Sequence, residues 1–300
     1  MLKRLTKSLT ALANLRLVPQ DLRVQVKQSQ HLLDKVSRTA RMMANAELDR
    51  LRADESVQDP KRLERFGSKG YSQNDEDGII KEIFKRIGTT NKRFVEFGTG
   101  NGLENNTVFL LCQDWSGLWI DGSDVNHAAQ KDVFDWAIKD NLLNAVQSFL
   151  TVDNINKVIS EGGMKGEIDL LSIDIDGNDY HLWKAIEVVS PRVLVIEYNA
   201  YAPPPVRWVM TYDPSYVWDG ESSYFNSSLQ SLEDLGQTKG YTLVGCNLSG
   251  LNAFFVRSDL TADQFSPEPT AENLYQPRRW WLDPCFQTEM IPYHRPFIQE

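Results

Sequence analysis

Cysteine is scarce in this chain of 300 residues, and the few cysteines show no pattern. Cys112, Cys246 and Cys285 lie far apart, and their number is odd. This spacing excludes a disulfide framework and the paired cysteines of a zinc site. We therefore expect isolated thiols, buried or partly buried, as is typical of a reducing compartment.

Long hydrophobic runs are also missing. A transmembrane helix needs about 20 consecutive apolar residues, and no segment approaches that length. The segment 1–16 contains Lys3, Arg4 and Lys7, and its short apolar stretch is cut by Arg16, which argues against a secretory signal peptide. By elimination, we expect a cytoplasmic protein.

Positive charge is sparse outside the N-terminal segment. The formal net charge of the chain is −9, yet residues 1–43 carry +7 and the remainder carries −16. Nucleic-acid binding needs clustered Lys and Arg, so the acidic main body argues against a nucleic-acid substrate. The basic segment could contact an anionic membrane surface or another protein, or its charges could simply form a solvated helical face.

Residues 1–60 have helical periodicity and are predicted to form an arm. Before Pro19, leucines fall on one face of a first helix; after it, Asp21 can cap a second helix. The apolar stripe of the second helix consists of Leu32, Val36 and Met43, with Ala40 beside it. The pattern is too irregular for a coiled coil. We expect the arm to pack on the body or on a second copy of the chain, which would make a homo-oligomer.

From Ser72 the periodicity becomes that of an α/β domain. A helix is predicted over 72–87, with capping and acidic residues in its first turn. Short apolar runs then alternate with helical stretches, which indicates a parallel sheet covered on both faces. The predicted strands are 92–98, 117–122, 146–151, 168–174 and 192–198, and the predicted helices between them are 104–115, 127–140, 153–161 and 179–190.

The end of this domain breaks the alternation. A helix over 227–239 is followed by strands at 241–247 and 252–257, whose four-residue connection predicts an antiparallel hairpin. This plan is similar to the sheet of class I methyltransferases, whereas a dinucleotide-binding domain has a sixth parallel strand. We therefore predict a doubly wound α/β fold of that type over 61–260, followed by an aromatic-rich extension over 261–300.

Glycines cluster directly after the first predicted strand, where open α/β sheets bind their ligands. The spacing Gly-x-Gly-x-Gly departs from the dinucleotide fingerprint, which needs a glycine at position 103, where this chain has leucine. A tight turn without a ligand is the alternative. We predict that the loop binds S-adenosylmethionine, which has no phosphate, through Gly98, Thr99, Gly100, Asn101 and Gly102.

Three carboxylates complete the predicted cofactor site. Asp121 ends the second strand about 20 residues after the loop, where its carboxylate can accept both ribose hydroxyls. Glu96 can face the amino group of the cofactor, directly or through water. Asp153, which follows the third strand, is a weaker candidate for a position near the adenine.

Polar side chains also end the fourth and fifth strands. Side chains two residues apart on a strand share a face, so Asp174 and Asp176 should converge with Glu197 and Asn199. The cluster could act as a general base on a substrate hydroxyl or bind a hard divalent cation such as Mg²⁺. The alternative is that these residues cap turns. His181, in the following helix, is a further candidate base.

A long aromatic insertion, 200–226, follows the fifth strand. It exceeds an ordinary connection, and its aromatic content argues against disorder. We predict a lid over the acceptor site; the alternative is a structural loop packed on its own aromatic residues. Aromatic faces and carboxylates together suit a sugar-like or otherwise polyhydroxylated acceptor. The predicted substrate-binding residues are Glu197, Asn199, Arg207, Trp208, Tyr212 and Trp218.

The segment from Tyr71 to about Arg257 resembles FkbM-type methyltransferases. The similar elements are Phe94–Gly102, Asp121-Gly122, Leu171–Gly177, Val195–Asn199 and the hairpin at 241–257. The resemblance implies methyl transfer from S-adenosylmethionine to oxygen, often on sugars of natural products or surface glycans. It also implies that Glu96, Gly98, Gly100 and Asp121 contact the cofactor. Asp176 stands where the family usually has glutamate, which shortens the reach towards the acceptor.

Two functions of different classes therefore remain. The first is an O-methyltransferase in which Asp174 or Asp176 takes or relays the proton of the acceptor hydroxyl. The second is a catalytically silent α/β scaffold whose basic N-terminal arm mediates contact with a protein or a membrane surface.

Overall fold

The computed structural model describes residues 20–220 and 222–282. The helix predicted before Pro19, the residue Cys285 and the last part of the aromatic extension lie outside these ranges. Of the two cysteines within them, Cys246 is buried, as expected, and Cys112 is exposed.

A seven-stranded sheet forms the centre of the domain. Its strands are β1 (Arg93–Phe97), β2 (Ser116–Asp121), β3 (Leu143–Gln147), β4 (Gly166–Ile173), β5 (Val189–Glu197), β6 (Tyr241–Cys246) and β7 (Asn252–Arg257), in the order β3-β2-β1-β4-β5-β7-β6. The first five strands are parallel, β7 is antiparallel to β5, and β6 is antiparallel to β7. The predicted plan, five parallel strands followed by an antiparallel hairpin, is confirmed, and with it the fold class.

Helices cover both faces of this sheet. The helices of the described chain are α1 (Gln20–Arg52), which forms the N-terminal arm, and α2 (Glu76–Ile87), α3 (Val108–Leu111), α4 (Asp124–Val133), α5 (Asp135–Lys139), α6 (Ile155–Glu161), α7 (Asp179–Ala185), α8 (Leu229–Lys239) and α9 (Ala271–Leu274). Short 3-10 helices lie at Glu55–Val57, Glu64–Phe66, Ser258–Leu260 and Trp280–Leu282. Successive strand residues point to opposite faces, so Val95 and Phe97 join one apolar core and Phe94 joins the other.

Several predicted boundaries differ from those observed. The helix predicted over 104–115 is reduced to α3, because side chains bind the backbone of the preceding loop: Asn101 Oδ1 accepts from Leu103 N at 3.0 Å, and Glu96 accepts from Asn106 N at 2.9 Å. The third strand lies at 143–147 rather than 146–151. Its partner β2 ends at Asp121, whose carbonyl accepts the last ladder bond, from Ser148 N at 2.9 Å.

The arm is a single helix from Gln20 to Arg52 in the described chain, and its end is tied to the domain by an ion pair between Arg52 and Asp75 at 3.4 Å. Its buried positions include Val26 and Ala44, about five turns apart on one face. The predicted stripe of Leu32, Val36 and Met43 is instead 61%, 61% and 68% exposed, so it does not pack on the body as one alternative required. Within the described ranges, no helix has the length and apolarity needed to cross a bilayer.

The part of the C-terminal extension that is described packs on the domain. Tyr198 Oη donates to the carbonyl of Gln276 at 2.5 Å, and Arg279 N donates to the carbonyl of Ser249 at 2.9 Å. Ala271 N donates to the carboxylate of Glu233 at 2.6 Å. These contacts hold residues 271–282 against α8, the end of β5 and the turn between β6 and β7.

Candidate functional site

Two adjoining cavities lie at the carboxyl ends of β1, β2, β4 and β5. The first, of about 350 Å³, includes Asp174, Asp176 and Glu197 in its lining and is called the acidic cavity below. The second, of about 480 Å³, includes Asp121 and is called the Asp121 cavity. They share the lining residues Gly98, Gly100, Asp174, Asp176 and Trp218, so they form one cleft. Both volumes are in the range of small-molecule sites.

The glycine loop lies where the two cavities meet, and its residues Gly98 and Gly100 line both of them. At Gly98, which has a φ of 69°, a Cβ atom would lie 1.5 Å from the carbonyl oxygen of Asp174, so only glycine allows β1 to approach the end of β4 this closely. At Gly100, with a φ of 52°, no atom lies within 4 Å of a built Cβ. The backbone of Gly100 is therefore open to the cleft.

Asp121 holds this loop and also lines the cleft. Its Oδ2 accepts from Gly100 N at 2.7 Å, and its Oδ1 accepts from Ser123 N at 2.8 Å and Asn126 Nδ2 at 3.2 Å. A carboxylate offers about four acceptor positions, so three protein donors leave room for about one ligand hydroxyl. The loop and Asp121 thus face a single cavity.

Other predicted cofactor residues anchor the loop through their side chains. Thr99 Oγ1 accepts from Gln130 Nε2 at 2.9 Å in a buried contact, and Thr99 is among the residues that line the acidic cavity. Asp153 is exposed and is not among the described residues that line the cleft.

Glu96 lies beneath the loop rather than in the cleft. It is 4% exposed, and its carboxylate accepts from Asn106 N at 2.9 Å and from Thr107 Oγ1. Trp119 Nε1 donates to the same Thr107 Oγ1 at 2.8 Å. Burial, only partly offset by these bonds, raises the pKa of Glu96 to about 7. In this arrangement Glu96 holds the segment that leads into α3, whereas we expected it to face a ligand's amino group.

Asp174, Asp176 and Glu197 come together in the acidic cavity. One carboxylate oxygen from each lies within 4.8 Å of the other two. The predicted convergence is therefore present for these three, although the reason we gave was wrong for the first two. Strand β4 ends at Ile173, so both aspartates lie in the following loop rather than on one face of a strand.

The loop after β4 is shaped by Asp179 at the start of α7. Its carboxylate accepts from Ile175 N at 3.0 Å and from Gly177 N at 2.9 Å. Between these two amides, Asp176 adopts a φ of 56°, which turns the chain back on itself. The buried carboxylate of Asp179 therefore fixes the positions of the two cluster aspartates, a role that its sequence position in the first helical turn suggests.

Crowding of negative charge perturbs the cluster. Burial, reinforced by the neighbouring Asp176, raises the pKa of Asp174 well above its ordinary value. Burial, followed by repulsion from Asp174, also raises the pKa of Glu197 well above its ordinary value. Three ionised carboxylates so close together are unfavourable unless a proton or a cation compensates them.

Asn199 makes different contacts from those we expected. Its Nδ2 donates to the carbonyls of Ser223 at 2.8 Å and Phe225 at 2.9 Å, so it fastens the end of the 200–226 insertion. The amide that touches the cluster belongs instead to Asn226, whose Nδ2 donates to Glu197 Oε2. No local pattern could have indicated Asn226, since the contact joins residues 29 positions apart.

His181 and Tyr212 form a pair that supports the insertion from outside the cleft. His181 Nε2 lies 2.8 Å from the carbonyl oxygen of Met210, and its ring lies 5.3 Å from that of Tyr212. Tyr212 Oη accepts from Val152 N at 3.2 Å. Neither residue is among the described residues that line the two cavities.

The insertion places one of its predicted residues, Trp218, in both cavities. Its ring lies 5.3 Å from that of Phe225, which lines the acidic cavity as well. Trp208 instead packs in a small apolar cluster within the insertion. Arg207 is on the surface, in an ion pair with Asp234 at 2.6 Å.

Several lining residues of the acidic cavity were missed by the sequence analysis. They are Gln73, Asn105, Tyr201, Phe225 and Arg278. Gln73 precedes α2 and Arg278 belongs to the C-terminal extension, so only tertiary packing brings them to the strand ends. Asn105 follows the glycine loop closely, and Tyr201 and Phe225 belong to the 200–226 insertion that was predicted to cover the site, so these three had a signal in the sequence.

Comparison with known proteins yields only partial structural matches at low sequence identity. No protein-family model matches the chain, and no curated protein matches it. The crystal structure of an S-adenosylmethionine-dependent methyltransferase from Clostridium acetobutylicum is 12% identical, with a TM-score of 0.39 over 63% of this chain and 92% of that one. The methyltransferase domain of bacterial CtHen1-C is 13% identical, with a TM-score of 0.40 over 61% and 97%. The strand order itself carries the fold class.

Proposed function

We propose that this chain is an S-adenosylmethionine-dependent O-methyltransferase of the FkbM type, acting on a hydroxyl of a sugar-like or otherwise polyhydroxylated acceptor. The observation that carries the proposal is the single cleft in which the glycine loop and Asp121 face a cluster of three carboxylates. One half of the cleft fits a nucleoside, and the other half offers proton acceptors beside it.

The Asp121 cavity fits the nucleoside part of the cofactor. The free acceptor position of Asp121 suits a ribose hydroxyl. Phe149 and Leu150 line the same cavity and offer an apolar surface to an adenine ring. The open backbone at Gly100 leaves space for the chain that carries the methyl group, between Asp121 and Asp174.

The acidic cavity fits the acceptor. Transfer breaks the bond between sulfur and methyl carbon and forms a bond from that carbon to the acceptor oxygen, whose proton passes to Asp174 or Asp176. A carboxylate whose pKa is raised by burial is a stronger base than an ordinary one, as this step requires. Alignment of the two reactants in such a cleft is worth about 7–11 kcal/mol in favourable cases.

The walls of the acidic cavity favour a polyhydroxylated acceptor. Trp218 and Phe225 provide aromatic surfaces, while Glu197 and the two aspartates provide hydrogen-bond acceptors. A sugar ring presents both apolar C–H faces and hydroxyl donors, so it matches this combination. Incubation with tritiated cofactor and a panel of sugars, glycans and lipid-linked glycans would identify the acceptor by label transfer.

Calorimetry with S-adenosylhomocysteine tests the cofactor half of the proposal. We expect saturable binding by the full chain and at least about tenfold weaker binding by Asp121→Asn, because the amide offers one acceptor oxygen instead of two. Asp132→Asn, an exposed change on α4, is the control. Lack of binding by the folded wild-type chain would remove the enzyme proposal.

A second candidate function is a silent scaffold that acts through the arm. It is favoured by the exposure of Leu32, Val36 and Met43 on a helix that belongs to the basic N-terminal segment. This function predicts that changing the three residues to serine abolishes association with a protein or an anionic vesicle, while Asp121→Asn leaves the biological effect intact. The reverse pattern favours the methyltransferase.

A further inference from the structure

The three carboxylates of the acidic cavity have the spacing of ligands to one metal ion. Two ligands of one ion cannot be farther apart than twice the bond length, which is about 4.6–5.2 Å for Ca²⁺ and about 4.0–4.2 Å for Mg²⁺. The oxygens of Asp174, Asp176 and Glu197 all lie within 4.8 Å of one another. This spacing is compatible with a shared ion of the size of Ca²⁺, and a smaller ion requires the oxygens to move closer together.

The ligand positions are held by neighbouring groups. Asn226 Nδ2 donates to Glu197 Oε2, which leaves the other carboxylate oxygen for the cavity. Asp179 fixes the loop that carries Asp174 and Asp176. Hydrogen bonds of this kind orient the ligands in metal sites and raise the affinity for the ion.

An independent observation in the lining of the same cavity also indicates a ligand. Asn105 lines the acidic cavity, is 6% exposed, and its buried Nδ2 has no hydrogen-bond partner within the described part of the chain. A buried amide without a partner is unfavourable. A water molecule or hydroxyl bound to an ion at the cluster would accept from this amide and satisfy it.

The charge of the cavity favours a cation over a neutral occupant. Arg278 is the one positive side chain among the described lining residues. One arginine against four carboxylates, those of the cluster and of Glu104, leaves an excess of negative charge beside the buried Glu197. A divalent ion would neutralise this excess.

We propose that Asp174, Asp176 and Glu197 bind a hard divalent cation in the acidic cavity, with Asn105 donating to an oxygen bound to that cation. This inference rests on the proposed function of the cleft and deepens it, because such an ion would bind the acceptor hydroxyl, orient it and lower its pKa. The hydroxyl proton would then pass to a carboxylate of the cluster as the new bond to the methyl carbon forms.

The test is calorimetric titration of the full chain, freed of metals with EDTA, with Ca²⁺, Mn²⁺ and Mg²⁺ in the absence of cofactor. We expect one saturable site for at least one ion. Glu197→Gln and Asp176→Asn keep the side-chain size but remove a charge, and each should weaken binding by about tenfold or more. Asp132→Asn, an exposed change on α4 that lies outside the lining of both cavities, is the matched control and should bind as the wild type does.

S-adenosylhomocysteine binding in EDTA, measured on the same samples, separates the two proposals. Binding of S-adenosylhomocysteine without binding of any of the three ions overturns the cation site and leaves the methyltransferase proposal standing. Binding of an ion with equal affinity by wild type and both cluster variants also overturns it. An ion that binds through the cluster in a chain that does not bind S-adenosylhomocysteine supports the cation site and refutes the proposed function.

Discussion

The buried carboxyl of Glu96 makes the stability of the protein depend on pH. Its pKa in the folded chain is about 7, against an ordinary value of 4.5, because burial disfavours the charged form. Between these two values the folded state retains a proton that the unfolded state has released. Stability therefore falls as pH rises through this window, and the full contribution of Glu96 is present only below pH about 4.5.

The magnitude follows from the size of the pKa change. Each unit of pKa corresponds to about 1.4 kcal/mol, so a rise from 4.5 to about 7 corresponds to about 3 kcal/mol. Glu96→Gln keeps the shape of the side chain but cannot ionise. We therefore expect the wild type to lose up to about 3 kcal/mol of unfolding free energy relative to Glu96→Gln between pH about 4.5 and 8.

Urea unfolding followed by tryptophan fluorescence, at pH values from about 5 to 8, measures this difference. A constant offset between the two proteins, from altered hydrogen bonds to Asn106 and Thr107, cancels because only the change with pH is compared. Glu161→Gln, an exposed change on α6, controls for the loss of a charge. The reasoning would be refuted if the difference in unfolding free energy between wild type and Glu96→Gln changed by less than about 0.5 kcal/mol over the whole pH range.

Three further substitutions test the framework around the cleft. Gly98→Ala should abolish S-adenosylhomocysteine binding in calorimetry and lower the melting temperature, since its Cβ would collide with the carbonyl of Asp174; a fully functional variant would contradict the close approach of β1 and β4. Asn199→Ala removes three side-chain hydrogen bonds to the insertion, so we expect faster limited proteolysis within 200–226 and a larger loss of acceptor turnover than of S-adenosylhomocysteine affinity. Asp169→Asn leaves the buried guanidinium of Arg192 without its ionic partner, which lies 3.1 Å away. We expect the unfolding free energy measured in urea to fall by about 3–5 kcal/mol, without a direct effect on the cleft. A fall of less than about 1 kcal/mol would contradict the contribution of this ion pair.

The sheet was predictable because its signals are local. Apolar runs of strand length, separated by helical periodicity, predicted the five parallel strands and the final hairpin. The glycine loop and Asp121 follow from the same pattern, because the carboxyl ends of parallel strands meet at one edge of the sheet. Sequence therefore indicated which strand ends would form the cleft.

Which way each side chain turns at those ends was less predictable. Glu96 is the next-to-last residue of β1, yet it points beneath the loop to bind the segment before α3. Asp174 and Asp176 converge through a turn with a positive φ, not through strand alternation. Asn199 binds the insertion, and Asn226 takes the place beside Glu197. Each of these side-chain orientations depends on contacts between residues that are distant in sequence, and a short sequence pattern cannot predict such contacts.

The acidic cavity is bounded by residues from both ends of the described domain. Gln73 comes before the first strand, and Arg278 comes after the last one, so the cavity lacks a wall until the segment at 271–282 has docked on the turn between β6 and β7. During synthesis, the sheet from β1 to β5 can pair while this wall is still in the ribosome. The lining of the cavity is therefore complete only after this segment has docked, and a chain stopped shortly after β7 would retain the glycine loop and Asp121 but lack Arg278 beside the three carboxylates.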